Sequence, residues 1–121
     1  KNNKMINNVL ADIQRINLLV FGMGNARDMA IRRKADQNVF RKIESENLTA
    51  EAFGYFFDKD GNVKMQTNSV GITLENFKTI DNAVGVAAGS SKAEAIYAIS
   101  KFNNNFILVT DEAAAKRILE L

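Results

Sequence analysis

Gly89, Ser90, Ser91 and Lys92 close a small apolar run, Ala83-Val84-Gly85-Val86-Ala87-Ala88. Residues of these types in this order suit one kind of chemistry, the binding of an anion. A buried strand that turns through Gly and Ser into a helix leaves free backbone N–H groups and the positive end of a helix dipole at a sheet edge. The Ser90 and Ser91 hydroxyls would add donors, and Lys92 would add a compact positive charge. A phosphate or carboxylate is the expected ligand. The bland reading of the same residues is that Gly89 and Ser90 turn the chain and cap the helix while Lys92 is a solvated lysine.

Two other groups could act at such a site. Arg27, Arg32, Arg33 and Lys34 form a basic cluster in an otherwise balanced chain, read either as a second phosphate clamp or as a solvated face. Glu51 opens the aromatic stretch Ala50-Glu51-Ala52-Phe53-Gly54-Tyr55-Phe56-Phe57, where it either accepts hydrogen bonds from ligand hydroxyls or ends a strand in water.

Composition narrows the chemistry. The 121 residues contain no cysteine and no histidine, which excludes disulfides and thiolate metal sites and removes the commonest general base. An enzyme built on this chain would have to use carboxylates, lysine or tyrosine. The net charge of +2 is too small to argue for nucleic acid by charge alone. No apolar run approaches the roughly 18 residues of a membrane span, and Lys1-Asn2-Asn3-Lys4 leads into an amphipathic pattern and not a signal peptide, so a soluble, cytoplasmic protein without membrane contact is expected. The absence of proline and the abrupt ends predict a fragment of a longer polypeptide.

The elements that must hold these groups alternate between helix and strand. Met5, Ile6, Val9, Leu10 and Ile13 predict an amphipathic helix over 3–15, feeding a buried strand Leu18-Leu19-Val20-Phe21 and a Gly22-Met23-Gly24 turn. A dinucleotide fingerprint is rejected there because Arg27 stands where its third glycine belongs. A short helix or ordered loop over 26–34 follows, then a helix carrying Val39, Phe40, Ile43 and Leu48 that ends at Glu46-Asn47. Residues 50–57 read as one strand, with Glu51, Phe53, Tyr55 and Phe57 on one face. Asp58-Lys59-Asp60-Gly61-Asn62 is a turn with only a faint likeness to a calcium loop, and Val63 to Ser69 is the return strand of a hairpin. Thr73 caps a short helix. The strand before Gly89 comes next, then its helix, then the strand Phe106 to Thr110. A last helix is capped by Thr110 or Asp111, with Ala114, Ala115, Ile118 and Leu119 facing inward. This order predicts an α/β fold, a mostly parallel sheet covered on both faces with one inserted hairpin. Ligands of such sheets bind at the carboxyl ends of the strands, where both glycine turns must lie.

Five stretches in this order and spacing resemble the effector-binding domain of SorC/DeoR-type bacterial transcriptional regulators: Gly22-Met23-Gly24, Met29-Ala30-Ile31-Arg32-Arg33, Glu51 to Asp58, Ala88 to Ile96, and Val109-Thr110-Asp111-Glu112. The resemblance runs from about Asn17 to the end. It implies a three-layer αβα domain similar to glucosamine-phosphate deaminase and ribose-phosphate isomerase, with residues 1–121 as the C-terminal half of the sensor domain. It implies a phosphorylated sugar as effector, fructose 1,6-bisphosphate for members controlling glycolytic genes, and no catalysis, cofactor or metal. It further implies a repressor that is a dimeric or tetrameric homo-oligomer, touching operator DNA only through a helix-turn-helix domain that these 121 residues lack. Carried over residue by residue, Arg32 holds a phosphate, Glu51 holds sugar hydroxyls, and Lys92 meets the ligand beside Gly89, Ser90 and Ser91. Ala88 departs from the family, which has a further glycine there. Two other functions stand beside this one: a sugar-phosphate isomerase or deaminase with Glu51 as base and Lys92 on the phosphate, and a domain that only mediates oligomerisation.

Overall fold

The computed structural model describes residues 3–121; Lys1 and Asn2, the start of the expected N-terminal lead-in, lie outside the described residues. Helix α1 spans Lys4–Ile13, capped by the Asn3 side chain, which accepts from the Met5 and Ile6 amides. Strand β1 (Leu18–Gly22) leads through Met23 into the two-residue β2 (Gly24–Asn25) and helices α2 (Ala26–Arg32) and α3 (Gln37–Ser45). Strands β3 (Leu48–Ala52), β4 (Tyr55–Asp58) and β5 (Val63–Gln66) follow, then α4 (Leu74–Thr79) and β6 (Asn82–Val86). A single 3₁₀ turn at Ser90–Lys92 runs into α5 (Ala93–Phe102), and β7 (Ile107–Val109) and α6 (Glu112–Leu119) complete the chain.

The strands form two sheets, one parallel in the order β1-β6-β7 and one antiparallel in the order β2-β3-β4-β5. The alternation expected of an α/β fold is present, with an antiparallel insertion of four strands. Residues 50–57 are not one strand. Phe53 (φ 58°) and Gly54 (φ 84°) both take left-handed backbone conformations and reverse the chain in a two-residue hairpin loop. Ala52 therefore pairs with Tyr55 and Glu51 with Phe56. Cross-strand partners share a face, so Glu51 lies with Phe56 and not with Tyr55 and Phe57 as a continuous strand would place it. Leu48 also differs from its expected place, starting β3 after α3 has ended.

This reversal divides the antiparallel sheet between two cores. Ala50, Ala52, Tyr55 and Phe57 join the main core with Leu19, Phe21, Ala83, Phe77 and the α5 residues Ile96 and Ile99. Phe56 packs with Ala26, Ala30, Ile43 and Leu48 under α2 and α3. The main core centres on Phe21, whose ring lies 4.9–5.4 Å from those of Phe53, Phe77 and Phe106. Gly85 makes room for it: a Cβ there would stand 3.0 Å from the Phe21 and Phe106 rings and 2.8 Å from Met23 Cε.

Among the described residues, coverage of both faces of the parallel sheet is not met. Leu18, Val20, Val86, Ile107 and Val109 are 44–67% exposed on one face, while the alternating residues Leu19, Phe21 and Ala83 on the other are buried. Among the described residues no helix crosses the first face. The expected inward stripe of α6 is also narrower: Ala114 is buried and Ile118 partly so, but Ala115 and Leu119 are exposed, because i and i+4 stack while i+1 rotates away. Thr73 caps α4 as expected, reciprocally with Asn76, and Asp111 is the cap of α6.

Candidate functional site

Sheet register assembles the site. Strands β1 and β6 run parallel with Gly22 opposite Val86, so their carboxyl ends and both glycine turns share one edge. Two residues beyond Gly22, Gly24 pairs with Glu51, which carries the carboxylate of β3 to the same edge. A Cβ at Gly24 would collide with the Met29 side chain and stand 4.0 Å from Lys92 Nζ. The result is a cleft of about 350 Å³ lined by Gly22 to Gly24, by Arg32 and Arg33 from the end of α2, by Glu51 and Phe53 from β3 and its hairpin turn, and by Lys92 from the turn before α5. Three predicted site residues, Arg32, Glu51 and Lys92, are brought together.

Glu51 is buried, its side chain only 3% exposed. Its Oε2 accepts the Gly54 amide at 2.8 Å and faces Arg33 Nη1 at 3.0 Å. A buried carboxylate needs such compensation to stay charged without large cost. The left-handed Phe53–Gly54 turn supplies the amide, and Arg33, the residue that caps the C-terminus of α2, supplies the guanidinium. Among the described residues no hydrogen bond reaches Oε1, so one oxygen is left to accept from a ligand.

Arg33 was not singled out from its basic neighbours by the sequence, which could locate the cluster but not the side chain that turns inward. The other members divide cleanly. Arg27 lies over the Phe40 ring at 5.5 Å with Glu44 at 3.6 Å, away from the cleft. Lys34 takes a left-handed φ of 52° and ends the α2 segment. Arg32 lines the cleft, and among the described residues neither it nor Lys92 has a carboxylate within 4 Å. Three cations against one carboxylate leave this cleft positive, which suits an anion of more than one charge. Two larger clefts, about 440 and 620 Å³, flank residues 69–72 and contain neither Arg32 nor Lys92.

Gly89, Ser90 and Ser91 precede Lys92 in the chain and are not among the residues that line the cleft. Gly89 has φ 97°, a conformation that favours glycine. Its N–H donates to Asp111 Oδ2 at 3.0 Å, so that donor is not free for a ligand, as the sequence reading of an open amide turn had it. Lys92 N–H donates to the Gly89 carbonyl at 3.0 Å. The first N–H groups of a 3₁₀ turn have no partner within it, which leaves those of Ser90 and Ser91, with their exposed hydroxyls, as the turn's outward donors. Asp111 also accepts the Ala114 amide at 2.9 Å; these two amides hold its carboxyl below the ordinary carboxylate range.

Comparison with known proteins places these features in a wider set. The family model described as a "putative sugar-binding domain" matches residues 1–120. The chain is 44% identical over 114 residues to the central glycolytic genes regulator of Bacillus subtilis, covering 94% of this chain and 34% of that protein. It is 40% identical over 114 residues to the same-named regulator of Priestia megaterium, covering 94% and 33%. A solved structure described as a SorC family transcriptional regulator from Enterococcus faecalis superposes with a TM-score of 0.92 at 39% identity, covering 98% of this chain and 48% of that one. The chain spans about a third of the length of these curated relatives and about half of the solved one.

Proposed function

The chain belongs to the sugar-binding domain family of SorC/DeoR-type transcriptional regulators, and from that premise we propose that its cleft senses a phosphorylated sugar, fructose 1,6-bisphosphate foremost, for a regulator of glycolytic genes. The observation that carries the reading is that two cations, Arg32 and Lys92, without carboxylate partners among the described residues, line one cleft with a buried Glu51 whose Oε1 accepts no hydrogen bond from those residues. A guanidinium fork and an ammonium suit phosphate oxygens, and a fixed carboxylate oxygen suits sugar hydroxyls. Ser90 and Ser91 add donors beside Lys92. Occupancy would bias contacts between subunits of a homo-oligomer and so change operator affinity through a DNA-binding domain outside these residues.

The bare face of the parallel sheet supports reading residues 1–121 as the C-terminal part of a larger sensor domain. Parallel sheets are ordinarily covered on both faces, and the apolar row Leu18, Val20, Val86, Ile107 and Val109 asks for a cover. The enzyme alternative is weaker. With no histidine in the chain, the notional base is Glu51, and its Oε2 is already engaged by Arg33 and the Gly54 amide.

Thermal unfolding with millimolar fructose 1,6-bisphosphate, fructose 6-phosphate, inorganic phosphate or fructose tests this reading, because a ligand that binds only the native state raises its melting temperature. The bisphosphate should give the largest shift and fructose none, and Arg32→Ala or Lys92→Ala should abolish it. No shift with any sugar phosphate, in this chain and in a longer protein containing it, would overturn the proposal.

A further inference from the structure

We propose that Asp111 is a positioning residue for the Gly89–Lys92 turn, holding it ready for the anion as well as capping α6; this rests on reading that turn as part of the sugar-phosphate site. The Val109-Thr110-Asp111-Glu112 stretch lies outside the cleft lining, and capping alone accounts for only half of what its aspartate does. Asp111 Oδ1 accepts the Ala114 amide at 2.9 Å, which is the cap. Oδ2 accepts the Gly89 amide at 3.0 Å, across 22 residues of sequence. A single oxygen suffices for an N-cap, and serine supplies one as well as aspartate does. The second oxygen is what aspartate adds.

Gly89 is where such a contact matters. At φ 97° and ψ 141° the turn adopts a conformation that few residues share, and the space around it does not enforce it, since a Cβ there would meet only Ser91 Oγ at 3.9 Å. The Ala87 N–H to Val109 carbonyl bond at 3.2 Å joins the strands just before the turn, and Asp111 fixes the turn itself. With the Gly89 amide drawn to Asp111, the next donors, the Ser90 and Ser91 amides and the Lys92 side chain, are held in one arrangement before ligand arrives. A turn ordered in advance binds more tightly than one ordered by its ligand. Repulsion between the carboxylate and an anion is reduced, because two amides and the N-terminal end of the α6 dipole partly offset its charge.

Asp111→Ser separates the two roles, since a serine hydroxyl can cap α6 but cannot also reach Gly89. We expect near wild-type melting temperature, faster amide hydrogen exchange at Gly89, Ser90 and Ser91 in the unliganded chain, and fructose 1,6-bisphosphate affinity about tenfold lower. Thr73→Ala, which removes the cap of α4 away from the cleft, should lower the melting temperature and leave exchange at 89–91 and affinity unchanged. Asp111→Ser with wild-type exchange at these amides, or with faster exchange and wild-type affinity, overturns the proposal. A wild-type chain that binds no sugar phosphate removes the sugar-phosphate reading alone, and the exchange comparison still decides whether Asp111 orders the turn.

Discussion

The two walls of the cleft are built on opposite terms. On the Glu51 wall the functional side chain is buried, ion-paired to Arg33 and bonded to a left-handed hairpin turn, so its geometry is part of the core. On the Lys92 wall the side chains are exposed or half-buried, and order comes from backbone conformation at Gly89 and one contact to Asp111. The difference separates the costs: damage to the first wall appears as lost stability, damage to the second mainly as lost affinity.

The sharpest way to break this contrast is Arg33→Met. It leaves a buried carboxylate without its counter-charge, and the expected loss is about 3 kcal/mol in chemical denaturation, at the lower end for a broken buried pair because Arg33 is itself 44% exposed. Adding Glu51→Gln should restore part of it, since a neutral amide can still accept the Gly54 N–H. Equal stability of wild type and Arg33→Met would remove the distinction between the walls.

Glycine replacement sharpens it next. Gly54→Ala must force a side chain into φ 84° and into the Ser69 and Thr67 hydroxyls, so about 2 kcal/mol should be lost. Gly89→Ala meets only the conformational penalty, about 1 kcal/mol, and should reduce bisphosphate affinity more than its stability cost suggests. A larger stability loss at Gly89 than at Gly54 would reverse the assignment of rigid and soft walls.

The smallest effect is one of pH. The folded-state pKa of Asp111 is depressed by the Ala114 and Gly89 amides, so its contribution is present above the ordinary carboxylate pKa of about 3.9 and is lost as pH falls through the lower folded value. The small stability difference that remains between wild type and Asp111→Ser, whose melting temperatures lie close together, should therefore be constant near neutrality and shrink only below about pH 4, as followed by thermal unfolding across an acid series.

The helices with strong periodicity or clear caps, α1, α4 and the start of α6, were legible from the sequence, as were the strands ending at Gly22 and before Gly89. The hairpin at Phe53–Gly54 was not, because Phe, Tyr and Ala on both sides satisfy strand periodicity and the isolated glycine was the single sign of a reversal. That one turn decides which face Glu51 occupies, and hence that it meets α2. Arg32, Glu51 and Lys92 could be nominated by residue type and family resemblance, but Arg33 and the second contact of Asp111 depend on side-chain direction and on pairings distant in sequence. The bare sheet face was unreadable for a related reason: Val20 and Val86 look as apolar as Leu19 and Ala83, and nothing local says which row finds a cover.

The most direct test is to follow backbone amide resonances of the chain while adding fructose 1,6-bisphosphate, with fructose as control. A single site spanning both walls predicts that Gly24 and Gly54 on one side and Ser90, Ser91 and Lys92 on the other shift along one saturating curve, and that fructose moves none of them. Bisphosphate-induced shifts confined to one wall, gathered around residues 69–72, or absent altogether would contradict the account.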